Sequence, residues 1–218
     1  MNRKSFGFLD SFTLKILAIL SMLTDHIGFV FFPNVMIFRA FGRIAFPIFC
    51  FLIVEGFHHT RSHLNYLARL IVFAVISEIP FDLAFRGVFF DWQHQNVFFT
   101  LALGLISIFC LEEMNSRRIY VLPLILTWGA AYFLHCDYGI GGVIFISILY
   151  LTKETPWIRF TLSALALYLF WGTFELFGLL AIIPITFYNG KRGASTQMLF
   201  YWFYPLHLLV LYGIKTCL

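Results

Sequence analysis

The chain has 218 residues, 61% of them hydrophobic and only 12% charged, with a formal net charge of +4 and a mean hydropathy of +0.86. Soluble globular domains carry about 25% charged residues, so this composition excludes a water-soluble fold, and so small a net charge gives no reason to expect a nucleic-acid partner. The expected class is an all-α, polytopic transmembrane helix bundle forming one integral membrane domain over residues 1–218.

A crossing helix needs about 20 apolar residues. Cutting the chain where charge, Gly or Pro clusters interrupt the apolar runs predicts about nine spans, within a range of 8–10: 12–32, 37–57, 65–84, 96–111, 118–134, 139–152, 157–172, 175–189 and 197–214. Several are short, and two short ones fit re-entrant or interfacial segments. The first run continues past any plausible cleavage site, and "FFPNV" lacks a small-x-small pattern, so it reads as a retained span. With the N-terminus inside, Arg3, Lys4, Lys15, Arg61, Arg69, Arg117, Arg118, Lys153, Arg159, Lys191 and Arg192 fall on the cytoplasmic side. Arg39, Arg43, Arg86 and Lys215 fall outside. That asymmetry sets the expected orientation. No internal repeat is visible, which weakens a secondary-transporter reading.

Span 1 contains Asp25 and His26 inside "SMLTDHIGFVFF". An Asp at the centre of a membrane helix costs about 2.5–3.5 kcal/mol on insertion scales, so such groups face protein or water and pair. Neighbours in a helix point about 100° apart, so Asp25 and His26 should find different partners. Asp25 is expected to pair with Arg39 or Arg43, which open span 2 four residues apart on one face; His26 should meet a group from another span. Span 3 carries Glu78 and Asp82 around Pro80, a predicted kink or end. Gln95 and Asn96 start span 4, Asp137 precedes span 6, Glu175 lies between spans 7 and 8, and His207 lies near mid-depth in span 9. Most of these groups share the outer half of the predicted bundle, which predicts a hydrated polar chamber opening outward.

At the cytoplasmic ends of spans 2 and 3, Glu55 should neutralise a basic group, with Arg69 the candidate, and basic residues there suit the phosphates of a cofactor. His58, His59 and His63 lack a carboxylate or Cys at ligand spacing, and the four cysteines show no CxxC, so no metal is expected. There is no GxSxG, GxxxxGK[ST] or HExxH. Imidazole, carboxylate and guanidinium groups remain. They suit general-base acyl transfer, and they equally suit a proton relay in a transporter.

"LTDHIG" followed by "FGRIAFPIFCF", then "NVFFTLALGL", "DYGIGGVIF" and "FYPLHLLVL", occur in the order found in the TraX family, which the chain resembles over nearly its whole length. The family's namesake acetylates the N-terminus of conjugative pilin. The resemblance implies a transmembrane acyltransferase that takes acetyl-CoA from the cytoplasm and modifies an acceptor at the outer face. It implies that Asp25, His26, Arg43, Asn96 and His207 match the family's polar positions. On this basis His26 is expected as general base with His207 in reserve. Arg43 and Arg39 would hold Asp25 or polarise the acyl group, and Asn96 would donate to the oxyanion. Arg61, Arg69 and Arg39 are the candidates for binding acetyl-CoA. An acetyl-histidine intermediate stays open. The acceptor is a protein N-terminal amine such as pilin, or a surface glycan. The expected location is the bacterial cytoplasmic membrane, in contact with membrane lipid. The alternatives are a small proton-coupled transporter and a non-catalytic pilus-assembly factor.

Overall fold

A helix begins where a side chain can satisfy the first free backbone donors. At the start of the chain Asp10 does this: its carboxylate accepts from the Thr13 N–H and the Thr13 hydroxyl, both at 2.8 Å. The Thr13 N–H in particular holds the Asp10 carboxyl below its ordinary range. From this cap α1 (Ser11–Phe31) runs to the turn at Pro33. The computed structural model describes residues 7–114, 121–194 and 197–218. Arg3, Lys4, Arg117 and Arg118, counted above as cytoplasmic, and the first residues of the fifth expected span lie outside the described residues.

The second expected span is one apolar stretch in two pieces, α2 (Met36–Gly42) and α3 (Ala45–His59), broken at Arg43 and Ile44. Two features of α1 permit the break. Ser21 donates its hydroxyl to the carbonyls of Phe41 and Gly42, at 2.7 and 3.2 Å, so the end of α2 is not left unpaired. Gly42 lets Asp25 come in close; a Cβ at that position would lie 2.2 Å from Asp25 Oδ1. Pro47 sits in the first turn of α3, where its missing N–H costs nothing.

After Ser62, whose hydroxyl accepts from the Asn65 N–H, α4 (His63–Arg86) runs straight through Pro80. Pro80 therefore does not end the third span. The one backbone bond it removes is outweighed by α4's packing against α5 (Val97–Met114) and α10 (Gln197–Cys217). Between them lie α6 (Val121–Phe133), α7 (Gly139–Leu151) and α8 (Pro156–Trp171). The eighth expected span is a 3₁₀ segment, Thr173–Ala181, followed by the short α9 (Ile182–Thr186).

All nine expected spans coincide with helical segments. Three stretches, Ser11–Phe31, Met36–His59 and Val97–Met114, are long and apolar enough to cross a membrane. Among the described residues there is no β-strand, only two isolated bridges.

The bundle is built around α3, which buries Phe46, Ile48, Cys50, Phe51, Ile53, Val54 and Phe57 and touches α1, α5, α7 and the 3₁₀ segment. Where α5 meets α7, Gly104 admits Ile146, and Ser107 and Ser147 share a 2.8 Å hydrogen bond. Small residues and buried hydroxyls are how helices associate where lipid removes any hydrophobic drive. The outside is the inverse of a soluble protein's: Trp157, Phe133 and Leu122 stand exposed. For site geometry the decisive contacts are those of α1, which lies between α2 on one side and α10 on the other.

Candidate active site

Asp25 and His26 diverge as helix geometry requires. Asp25 faces α2 and His26 faces α10. His26 Nδ1 lies 2.7 Å from His207 Nε2. The ring planes are 7° from parallel with centroids 5.0 Å apart, so with facing nitrogens this close the rings meet edge to edge in nearly one plane. The far nitrogen of His207, Nδ1, lies 2.8 Å from the Phe203 carbonyl.

These contacts fix the protons. A carbonyl only accepts, so His207 Nδ1 carries the hydrogen, and in the neutral ring Nε2 is then the acceptor. His26 must therefore donate from Nδ1, which leaves His26 Nε2 bare, with an uncommitted lone pair. His207 is buried and His26 half-buried, with Phe85 edge-on at 5.0 Å.

On the other side of α1, Arg39 Nη1 donates to Asp25 Oδ2 at 2.5 Å, and Arg43 Nη2 reaches Asp25 Oδ1 at 3.3 Å. Arg43 Nη1 also donates to Glu175 Oε1 at 2.6 Å, and its Nε to the Arg39 carbonyl at 3.3 Å. Two guanidinium groups and two carboxylates thus alternate in a balanced ladder. Arg39 packs over Phe29 and Arg43 over Phe174. Arg39, expected among the cofactor-binding residues, belongs to this ladder and does not line the cavity that holds Arg61 and Arg69.

Asn96 is fully buried at the start of α5. Both amide hydrogens are used, on the Ala74 carbonyl at 2.7 Å and Glu78 Oε2 at 2.5 Å, and its Oδ1 accepts from the Phe98 N–H. It caps α5 and ties it to α4, leaving no donor for an oxyanion. Beside it, Asp82 accepts from the Asp91 N–H at 2.7 Å, while His94 and Asp137 pair at 3.1 Å and join two loops. The bond to Asp137 raises the His94 pKa. Asp91, held chiefly by the Gln93 N–H and bonded to Arg86, has its carboxyl lowered.

A cavity of about 690 Å³ lies at the basic end of the bundle, and Asp25, Arg39, Arg43, Asn96, Asp137 and Glu175, expected to line a chamber, are not among the residues that line it. Its mouth carries Lys15, Arg61, Arg69 and Arg192, with Glu55, His59 and Tyr188. Its walls turn apolar inward through Leu52, Ile53, Leu70 and Leu101, and it reaches Met22, Phe98 and Tyr204. Glu55 is near Lys153 at 3.9 Å and His59 at 3.8 Å, so its basic neighbour is Lys153 where Arg69 was expected. Arg69 packs over Tyr66. His59 Nδ1 and His63 Nε2 meet the carbonyls of Glu55 and Phe57, and His58 stacks near Tyr150.

Sequence reading did not single out Lys15, Met22, Tyr138, Arg192 and Tyr204 as site residues. Tyr138 stacks on Phe46 at 3.5 Å, edge-on to Trp171 and beside Arg43. Met22 and Tyr204 sit one turn before His26 and His207 on the same helix faces. That spacing was available in the sequence; the facing of the two helices was not.

A family profile described as TraX protein matches residues 11–215. A "probable fimbrial assembly protein FimC, serogroup H1" from Dichelobacter nodosus is 34% identical over an alignment of 236 positions, covering 94% of this chain and 96% of that protein. "Protein TraX" of Escherichia coli is 29% identical over 142 positions, covering 63% of this chain and 54% of that protein. No solved structure matches the chain. With the profile spanning almost every helix of the bundle, the chain belongs to the TraX family.

Proposed function

We propose that the chain is an acetyltransferase of the bacterial cytoplasmic membrane, multi-pass and with its N-terminus inside. It moves an acetyl group from cytoplasmic acetyl-CoA to an acceptor at the outer face. The acceptor is a protein N-terminal amine such as that of pilin, or a surface glycan. One observation carries the reading: a histidine pair with one uncommitted nitrogen lies one helical turn beyond Met22 and Tyr204, which line a cavity that also carries Lys15, Arg61, Arg69 and Arg192.

In this reading Arg61, Arg69, Lys15 and Arg192 face the phosphates of acetyl-CoA at the cavity mouth. The apolar walls take the thinner thioester end. His26 Nε2 removes the proton of the acceptor amine or hydroxyl as that atom attacks the thioester carbonyl. The new N–C or O–C bond forms, the C–S bond breaks, and the proton passes from His26 to the departing sulfur. His207 orients His26 through its Nε2, and the Phe203 carbonyl holds His207 in the required tautomer. That is the role a third group plays in a nucleophile–base–orienter triad. Should His26 Nε2 attack the thioester first, the acetyl group rests on that nitrogen before transfer. Arg43, Arg39 and Asp25 fix α2 against α1, and Asn96 fixes α5.

The test incubates membranes containing the protein with labelled acetyl-CoA and follows thiol release. Mass spectrometry then locates the label on peptide, glycan or histidine. Release that disappears in His26→Ala supports the reading. The name of the Dichelobacter relative supports a second one, a membrane factor of fimbrial assembly without chemistry. Under that reading, as under a proton-coupled transporter, the wild type releases no thiol from acetyl-CoA.

A further inference from the structure

The cavity stops short of the groups it would serve. Its innermost wall includes Met22 and Tyr204, and each belongs to the same helix face as one histidine, a turn beyond it. A helical turn is about 5.4 Å, so each of these two lining residues lies about one turn from a histidine on its own helix, and neither histidine lines the cavity.

Tyr204 is the more restrictive of the two. Its ring is 4% exposed and stands edge-on to both imidazoles, with centroids 5.6 Å from His207 and 6.3 Å from His26. Phe98 also meets it edge-on, at 5.2 Å. The ring thus packs against three aromatic rings at once. Beyond it Phe85 closes the space against His26.

From this we infer that Tyr204, backed by Met22, is the acyl-length determinant of the site. It leaves room beside His26 for a two-carbon acyl group and turns away longer acyl thioesters. This inference rests on the acetyltransferase reading. The physics is steric: an edge-locked aromatic ring in a close-packed interior cannot yield space without moving its neighbours. A pocket of this kind discriminates by about ten-fold or more for each methylene that does not fit.

The experiment measures thiol release from acetyl-CoA, butanoyl-CoA and hexanoyl-CoA by membranes containing the full chain. The wild type should prefer acetyl-CoA. Tyr204→Ala should raise hexanoyl over acetyl turnover by about ten-fold or more, while Tyr204→Phe, which keeps the ring, should leave the ratio near wild type. Met22→Ala supplies the same test should Tyr204→Ala fold poorly, with a smaller shift in the same direction that favours butanoyl-CoA. A wild type that uses none of the three thioesters removes the acetyltransferase reading and this inference with it. An active wild type whose chain-length ratio neither alanine variant moves removes this inference alone.

Discussion

Asp25 and His26 are adjacent residues of one helix, yet they belong to two unlike polar systems. On the α2 side, Asp25, Arg39, Arg43 and Glu175 form a ladder in which positive and negative charges balance. On the α10 side, the chain of contacts from the Phe203 carbonyl through His207 to His26 ends on a nitrogen with no hydrogen-bond partner among the described residues. The ladder is what a membrane protein builds to hold helices together, since each charge offsets the burial of the next. The histidine chain is an arrangement with one position left for a reactant. A paired network in a bundle interior therefore speaks of assembly, and the unspent lone pair is the group to which the proposed function assigns chemistry.

This contrast predicts opposite phenotypes. The largest effect is expected for His26→Ala: acetyl transfer falls by about 10²–10⁴-fold, the usual contribution of a positioned base, while thermal unfolding in detergent changes little. A variant that unfolds as readily as a ladder mutant would move His26 into the structural class. Arg43→Ala should do the reverse. It strands Glu175 and leaves Asp25 to Arg39 alone, and the loss of one partner from a buried ion pair costs about 3–5 kcal/mol, seen as a lower unfolding midpoint. The double variant Arg43→Met with Glu175→Met should recover part of that loss; no recovery would argue that Arg43 acts on substrate.

Asn96→Ala comes next. It removes the α5 cap and leaves Glu78 and the Ala74 carbonyl short of a donor, at about 1–3 kcal/mol for a buried group left unsatisfied. The His26–His207 pair lies elsewhere, so residual activity per folded molecule should hold.

The smallest effect concerns the loops that carry His94 and Asp137. Asp137 raises the His94 pKa, so their pair contributes stability fully below the unfolded histidine value of about 6.5. That contribution is lost as pH rises through the higher folded value. With both side chains about one third exposed, the gain is under about 1 kcal/mol. Asp137→Asn should flatten this part of the stability–pH profile; an unchanged profile would assign it to other groups.

How much of this was legible beforehand depends on the range of the interaction. Helix positions were legible because apolar run length and the punctuation of Pro33, Gly87 and Gly172 are local. So was the divergence of Asp25 and His26, which follows from the helical repeat, and the pairing of Asp25 with the two arginines, which crosses a single turn. Pro80 was read as a kink or an end; it does not end α4, because packing against α5 and the distant α10 carries the helix through it. Glu55 was assigned to Arg69, next to it on the predicted map, while its neighbour Lys153 arrives from the end of α7. Asn96 was read as a free donor because nothing local reveals that Ala74 and Glu78 use both its hydrogens.

Taken alone, the amino-acid order determined an all-helical apolar bundle, the residues that could not be left in lipid, and the angle at which Asp25 and His26 part. It could not say which histidine ends the hydrogen-bond chain, because that depends on His207 and the Phe203 carbonyl meeting α1 across 181 residues of separation. Nor could it say that the cavity opens at the basic end and stops at Tyr204. A cavity is the space several helices fail to fill, and its position is set only when all of them are in place.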